Sequence, residues 1–231
     1  ERGTPNLRVL FPVEADGPEA RYEIPFGSVS RDLKDGEEVT GQRWADLSEK
    51  DGQGVALLNS SKYGFSLEGD TLSMTLLRAS IDPDPLPDLG EHVIEYALVP
   101  HGEGWSIGRS TAAGEEANVP LVVLSCDTHE GDLPPVKSFV RVDNWNVRLA
   151  ALKKAQDDDG IVLRLVEVEG KETEARVELA PELIAGGAGA QEVDTLERPT
   201  EQNGAALARE VLTVRVPAYG STTVRIRGNA N

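Results

Sequence analysis

This sequence of 231 residues is poor in cysteine, in cationic side chains and in long apolar runs. Its single cysteine, Cys126, excludes an internal disulfide and a zinc site built from several cysteines, and it fits a cytoplasmic location. The 23 Lys and Arg residues face 40 Asp and Glu residues, a net charge of −17. This argues against nucleic acid as a partner, because phosphates are bound by cationic side chains. No apolar run approaches the roughly 18 residues of a membrane span, so we expect no membrane partner.

Apolar and polar residues instead alternate along much of the sequence. Apolar residues recur with a period of two far more often than with the helical period, as at Leu72, Met74 and Leu76. Glycine, with 23 residues, and proline, with 14, interrupt the runs at short intervals, which is typical of short strands joined by turns. The pattern predicts an all-β fold of a dozen or more strands. We expect a large antiparallel β-sandwich followed by a smaller C-terminal β-sandwich-like domain.

A domain boundary is predicted near Gly131–Pro135, which is rich in proline and glycine. It separates residues 1–135, the first part of the sandwich, from residues 136–231. The second range would hold the remaining sandwich strands and a small terminal β-domain.

Several strands and turns of the first half are predicted individually. The continuous apolar run Gly54–Ser61 indicates a strand that is buried on both faces. Gly69 and Asp70 predict a tight hairpin between residues 63–68 and 71–79.

Two more strands are predicted at His92–Pro100 and Leu121–Asp127, with a mobile, Gly-rich and acidic stretch between them. Cys126 would then lie in a buried strand, where a thiol behaves as a small hydrophobe rather than as a nucleophile. Further along, Asp157–Gly160 predicts the tip of a hairpin. The helix formers of residues 149–156 favour a helix there, but we expect a strand because the hairpin signal follows at once.

Catalytic and metal-binding residues are not predicted from these patterns. The three histidines, His92, His101 and His129, lack the close His spacing of metal sites, and Cys126 beside His129 is too little to hold zinc. The acidic run at 157–160 lacks the alternating ligand spacing of a calcium loop, so a solvated hairpin tip is the better interpretation. We therefore expect no catalytic residue and no metal ligand in this chain.

Seven short motifs nevertheless occur in an order that resembles one known family. In chain order they are Tyr22–Gly27 (YEIPFG), Gln42–Ser48 (QRWADLS), Gly54–Asn59 (GVALLN) running into Ser61–Phe65 (SKYGF), Leu76–Ala79 (LLRA), Gly90–His92 (GEH), Tyr96–His101 (YALVPH) and Leu196–Pro199 (LERP). Together they resemble the C-terminal β-domains of α-mannosidases of glycoside hydrolase family 38, most closely the cytosolic and bacterial branch. The resemblance extends over about Leu7–Ile226.

The resemblance implies a function that composition does not. Family members hydrolyse terminal α-mannosidic bonds with retention, through an aspartate nucleophile, an acid/base carboxylate and a zinc ion. Those groups lie in an N-terminal catalytic barrel to which no segment of this sequence corresponds. We therefore expect the chain to be the C-terminal part of such an enzyme, inactive alone, with no cofactor of its own and zinc in the missing catalytic domain. Its expected partners are that barrel and, through the parent enzyme, a mannose-containing oligosaccharide.

One loop of the β-domains reaches the rim of the active site in this family. The matching residues here are Asn59, Lys62 and Tyr63, of which Lys62 would donate to sugar hydroxyls and Tyr63 would stack or hydrogen-bond. Family members often carry aspartate where Ser60 stands, so no carboxylate role is carried over. The alternative is that Tyr63 packs in a hairpin and Lys62 is solvated.

The sequence is compatible with two other functions. A free-standing carbohydrate-binding β-module would need exposed aromatic side chains, yet aromatic residues make up only 5% of the sequence. An independent enzyme would need the catalytic groups that the sequence does not show. The leading hypothesis, a structural and interface module, predicts an exposed apolar patch where the catalytic barrel docks.

Overall fold

We describe a computed structural model of the chain, which covers residues 6–31, 36–184 and 188–227. The chain divides into two compact units, residues 1–120 and residues 121–231, and each has its own apolar core. The boundary that we predicted between residues 135 and 136 stays a prediction.

Within its described residues, the first unit is built from nine strands and one helix. In chain order these are β1 (Leu7–Pro12), β2 (Glu19–Ile24), β3 (Gly27–Ser30), β4 (Val39–Thr40), β5 (Trp44–Ser48), β6 (Gly54–Asn59), β7 (Gly64–Glu68), β8 (Thr71–Leu77), β9 (Tyr96–His101) and α1 (Ile107–Asn118). They form two antiparallel sheets with the orders β1-β8-β7-β4 and β3-β2-β5-β6-β9.

The core of the first unit lies between these two sheets. Tyr22 and Leu57 of the five-stranded sheet pack with Phe65, Leu72 and Met74 of the four-stranded sheet, and all five are fully buried. The alternation along β8 therefore has the predicted cause, since every second side chain enters the core. The predicted hairpin at Gly69 and Asp70 is confirmed, and so is the doubly buried strand β6, which is interior to its sheet.

The outer face of the five-stranded sheet is covered by α1. Trp44, Ala56 and Leu58 form a second buried cluster, against which Ile107 and Ala113 of the helix pack. The prediction of a mobile stretch at this position is wrong. The helix contains two glycines, Gly108 and Gly114, which lowers its intrinsic propensity, so packing against the sheet decides its conformation.

The second unit is also a two-layer antiparallel structure. Its strands are β10 (Val140–Val142), β11 (Val147–Lys154), β12 (Ile161–Glu167), β13 (Thr173–Leu179), β14 (Gly189–Val193), β15 (Ala206–Ala208), β16 (Val211–Val216) and β17 (Ser221–Arg227), with a 3-10 turn at Pro181–Leu183. The sheets have the orders β10-β13-β16-β15 and β11-β12-β17-β14. Apolar residues from both sheets, such as Leu163, Leu165, Val177, Leu212 and Val214, share one core. The predicted all-β sandwich architecture is therefore confirmed.

Residues 147–154 form the strand β11, as predicted, and not a helix. Residues 155–160 connect β11 to β12, and the Gly160 amide donates to Asp158 Oδ1 at 2.9 Å. This short carboxylate-capped connection fixes the hairpin that the sequence predicted.

Three predictions for residues 92–127 do not agree with the structure. Residues 121–127 are not in a strand, because they pair with no other residue that the structure describes. Cys126 is consequently exposed rather than buried. The strand expected at 92–100 begins later, at Tyr96, and His92 lies before it on the surface.

Within the described residues, α1 is far too short and too polar to cross a bilayer, and the 3-10 turn is shorter still.

Candidate functional site

The loop after β6 is shaped by Asn59, one of the three predicted site residues. Its buried side chain accepts hydrogen bonds at Oδ1 from the amides of Ser61, at 3.0 Å, and Lys62, at 2.6 Å. Its Nδ2 donates to the carbonyl of Gln42 at 3.1 Å. Because both polar ends of the side chain are bonded within the protein, Asn59 holds the loop in shape.

Lys62 and Tyr63 are presented to solvent by this loop. The Tyr63 side chain is 60% exposed, and Lys62 is half-buried. The Gly41 amide donates to the Tyr63 carbonyl at 3.0 Å, which anchors the backbone while the ring projects outward. The alternative that Tyr63 packs inside a hairpin does not agree with this exposure.

A second exposed aromatic residue, Phe26, lies at the turn between β2 and β3. Ile24 pairs with Gly27, so Pro25 and Phe26 form a two-residue turn. Phe26 has a φ of 57° and is 68% exposed, whereas glycine is the usual residue at such an angle. A bulky apolar side chain held outward at a conformational cost indicates an interaction surface.

Residues 41–43 join the turn to the loop. The Gln42 amide donates to the Glu23 carbonyl at 2.9 Å, while the Gln42 carbonyl accepts the bond from Asn59. The Arg43 amide donates to Glu23 Oε2 at 2.7 Å, and its guanidinium also contacts that buried carboxylate. The Pro25–Phe26 turn and the Asn59–Tyr63 loop therefore form one connected surface, the two-loop surface.

The charge at the base of the two-loop surface is paired. Hydrogen bonding to Glu23 raises the pKa of Arg43 above its already high usual value, outweighing burial, and Glu115 of α1 adds to this at 3.8 Å. Tyr22, which precedes Glu23 on β2, packs in the core between the sheets, and burial raises the pKa of its hydroxyl to about 12, so this phenol stays neutral. The base of the surface is thus rigid and holds a permanent cation.

A depression of about 270 Å³ lies on this surface. It is lined by Glu23, Ile24, Pro25, Thr40, Gly41, Gln42 and Tyr63. An aromatic ring, an amide and a paired carboxylate around a shallow opening are groups that contact a polyhydroxylated ligand by stacking and hydrogen bonding. The sequence predicted Lys62 and Tyr63 here, but it did not show that Glu23 and Arg43 connect two of the motifs.

A buried polar cluster on another side of the first unit was not predicted. Asp46 accepts hydrogen bonds from the hydroxyls of Ser48 and Ser110, and its Oδ2 lies 3.3 Å from His101 Nε2. His101 stacks on Trp105, with ring centroids 4.7 Å apart. In a hydrolytic triad the histidine stands between serine and carboxylate, whereas here the carboxylate stands between them. The cluster ties α1 and β9 to β5 and is not a nucleophilic site.

Among the described residues, no group of three or more His, Cys, Asp or Glu side chains is arranged to hold a metal ion. His92 and His129 are both exposed and their ring nitrogens contact neighbouring carbonyls. The acidic side chains at 158 and 159 pair with Arg227 and Lys154, respectively, at the hairpin tip.

Comparisons with known proteins point to one family. Residues 4–86 match the model of the glycosyl hydrolases family 38 C-terminal domain, and residues 146–219 match that of the family 38 C-terminal beta sandwich domain. Alpha-mannosidase 2C1 of Mus musculus is 38% identical over 71% of this chain, and that of Homo sapiens is 34% identical over 75%. Alpha-mannosidase G of Dictyostelium discoideum is 33% identical over 67%. The chain spans only 15% to 17% of the length of these relatives.

The fold has a counterpart among solved structures. An alpha-mannosidase from Enterococcus faecalis V583 superposes with a TM-score of 0.75 at 17% identity, over 95% of this chain and 25% of that one. At this identity the superposition shows the fold, and it places the equivalent of this chain in a much longer polypeptide.

Proposed function

Because this chain belongs to the C-terminal domains of glycoside hydrolase family 38, we propose that it is the C-terminal β-module of an α-mannosidase. The complete enzyme would hydrolyse terminal α-mannosidic bonds with retention of configuration. Support comes from two matched family domains and from three named α-mannosidases, each at least 33% identical to this chain. These matches favour an enzyme module over a free-standing carbohydrate-binding module.

The proposal assigns the bond-breaking chemistry to a catalytic part that lies outside this chain. A retaining mechanism needs two carboxyl groups about 5 Å apart across the scissile bond, and the zinc ion would be bound beside them. Among the described residues of the first unit, the buried carboxylates of Glu23 and Asp46 are instead paired with Arg43 and with hydroxyl groups, respectively. The module itself is therefore assigned positioning and docking roles.

The two-loop surface is the part of the module that we assign to the rim of the substrate site. The observation that carries this assignment is that Tyr63 lines the depression, with Lys62 next to it in the loop that Asn59 shapes. An exposed ring can stack on a sugar, and an ammonium group can donate to its hydroxyls. The ligand would be a mannose-containing oligosaccharide bound to the parent enzyme. The cytoplasmic location predicted from the single cysteine remains part of the proposal and agrees with its exposed thiol.

The rim assignment is tested in the complete enzyme with the variants Tyr63→Ala and Lys62→Ala. Loss of one stacking or hydrogen-bonding contact should lower kcat/KM for an oligosaccharide by about tenfold, while a small chromogenic α-mannoside is affected less. Leu10→Ala is the matched control, since Leu10 is also exposed but lies on the other sheet. Unchanged kinetics in both loop variants would remove the rim assignment.

The proposal that the catalytic groups lie outside this chain is tested with the isolated chain. We expect no hydrolysis of a chromogenic α-mannoside, with or without added zinc. Turnover by the pure chain would overturn the proposal that the catalytic groups lie elsewhere.

A further inference from the structure

Residues Leu121, Val122, Val123 and Leu124 form an apolar run that the structure leaves uncovered. Their exposed fractions are 94%, 84%, 87% and 84%, respectively. Within the part of the chain that the structure describes, residues 121–125 join no strand and their backbone makes no hydrogen bond. Side chains of this kind are usually inside a protein, and a contiguous exposed apolar run of four marks an interaction site.

The sequence of this run is that of a strand. Two β-branched residues lie between two leucines, and such residues favour extended backbone in a pleated sheet. All four side chains are apolar, so both faces of the strand are suited to burial, as in an interior strand. Pro120 stands directly before the run, where a strand tolerates proline because its first residue need not donate.

The charges beside the run restrict what can cover it. No Lys or Arg lies between Arg109 and Lys137, while that interval contains Glu115, Glu116, Asp127, Glu130 and Asp132. A second copy of the chain would bring the same acidic residues and another net charge of −17, so self-pairing is opposed by repulsion. The complementary surface is an apolar slot with a basic rim.

We propose that Leu121–Ser125 adds as a strand to the edge of a β-sheet in the catalytic part of the α-mannosidase polypeptide. This inference rests on the proposed function, and it names how the module docks. The relatives are more than four times as long as this chain, so a partner surface of the required size is available in the same polypeptide. Backbone hydrogen bonds would supply affinity, and side-chain burial on both faces would fix the register.

The proposal is tested first by amide hydrogen exchange. In the isolated chain, the amides of Val122, Val123 and Leu124 should exchange at nearly the rate of an unstructured peptide. In the complete enzyme, their exchange should be slower by about 100-fold or more, because the amides are then hydrogen-bonded and covered. Protection in the isolated chain that rises with its concentration would identify a second copy as the partner and overturn the proposal.

A proline scan separates strand pairing from simple apolar contact. Val123→Pro removes one amide donor, and it should weaken the association of the chain with a separately produced catalytic part by about tenfold or more. Thr128→Pro is the matched control, since Thr128 is exposed in the same segment but outside the proposed strand. In the isolated chain both variants should unfold at the wild-type denaturant concentration, which shows that the loss is not a folding defect.

The outcomes distinguish this inference from the proposed function. If the chain binds the catalytic part but its amides at 122–124 stay unprotected, strand addition is wrong and the module assignment stands. If the chain does not bind and these amides are also unprotected in the complete enzyme, strand addition is wrong and the docking role fails with it. Equal weakening by both proline variants would likewise contradict a paired strand at 121–125.

Discussion

The amide of Tyr219 donates a hydrogen bond to Oε2 of Glu167 at 3.0 Å, although 52 residues separate the two in sequence. The same carboxylate, which is fully buried, accepts from the amides of Glu169 and Gly170 at 2.9 and 2.7 Å and from Asn146 Nδ2 at 2.9 Å. Glu167 thus holds together two turns of the second unit. Burial alone would raise the pKa of this carboxyl, but the four donors outweigh it and keep the pKa below its usual value of 4.5.

The Glu167→Gln substitution should therefore destabilise the second unit by about 1 to 3 kcal/mol at neutral pH. The amide that replaces the carboxylate has only one acceptor oxygen, and its NH2 group would face N–H donors. A depressed folded-state pKa contributes stability above pH 4.5, and this contribution is lost as the pH falls through the folded-state value. The variant should accordingly show a shallower loss of stability below pH 4.5. Urea unfolding over that pH range measures both effects.

Glu174→Gln is the control for this prediction, because Glu174 is exposed on β13 of the same unit. It should leave both the stability and its pH dependence unchanged. A Glu167→Gln variant with the wild-type pH slope would contradict the role of the four hydrogen bonds.

Gly54, the first residue of β6, has no room for a side chain. An added Cβ would lie 2.1 Å from the carbonyl oxygen of Leu47 and 2.8 Å from the Ser48 Cα, and both are backbone atoms that cannot turn aside. We expect Gly54→Ala to cost about 3 kcal/mol, the upper end of the usual range for overpacking. Gly102→Ala, where an added Cβ meets nothing within 4 Å, should cost less than about 1 kcal/mol. Equal denaturation midpoints for the two variants would show that the backbone at the start of β6 can shift to accommodate a side chain.

Variants of Phe26 test whether its strained backbone lowers stability and whether its ring contributes to activity. Phe26→Gly relieves the left-handed backbone and should stabilise the first unit by about 1 kcal/mol relative to Phe26→Ala, which keeps the strain and also lacks the ring. Because both variants lack the ring, both should change the steady-state kinetics of the complete enzyme by a similar factor. Urea midpoints and steady-state kinetics of the pair separate the two effects. Loss of stability in the glycine variant would indicate that the ring is held by packing.

Arg43 and Glu23 are predicted to be coupled energetically. Arg43→Lys keeps the positive charge and the backbone hydrogen bond, but it loses the contacts that the planar guanidinium makes with both carboxylate oxygens. A double-mutant cycle with Glu23→Gln should give a coupling of about 1 to 2 kcal/mol, reduced from a fully buried pair because the arginine is partly exposed. Chemical unfolding followed at the buried Trp44 measures it. If the changes in the free energy of unfolding of the two single variants add up to that of the double variant, the two loops are held by backbone contacts alone.

The strands were predictable because their signal is local. At β8 and β13 every second residue enters a core between two sheets, so a period of two survives in the sequence. Helix α1 was missed because its stability is not local. A Cβ at Gly114 would lie 2.8 Å from Trp44 Cδ1, so the glycine that weakens the helix is also what lets it approach the sheet.

The candidate site was predictable only in part, for a related reason. Lys62 and Tyr63 follow a buried strand, which placed them at its end, and their roles came from the resemblance to the family. The link between Glu23 and Arg43 joins residues 20 positions apart and depends on the pairing of β2 with β5. The strand predicted at 121–127 had the right composition, but a strand exists only where another strand hydrogen-bonds to it.

The order of strands in the second unit has a consequence for synthesis. In the sheet β11-β12-β17-β14, the strand made last, β17, lies between β12 and β14 and pairs with both. A chain emerging from the ribosome cannot complete this sheet until residues 221–227 are available, and until then β12 has one unpaired edge beside an open core. The second unit can therefore complete its fold only after translation has passed β17.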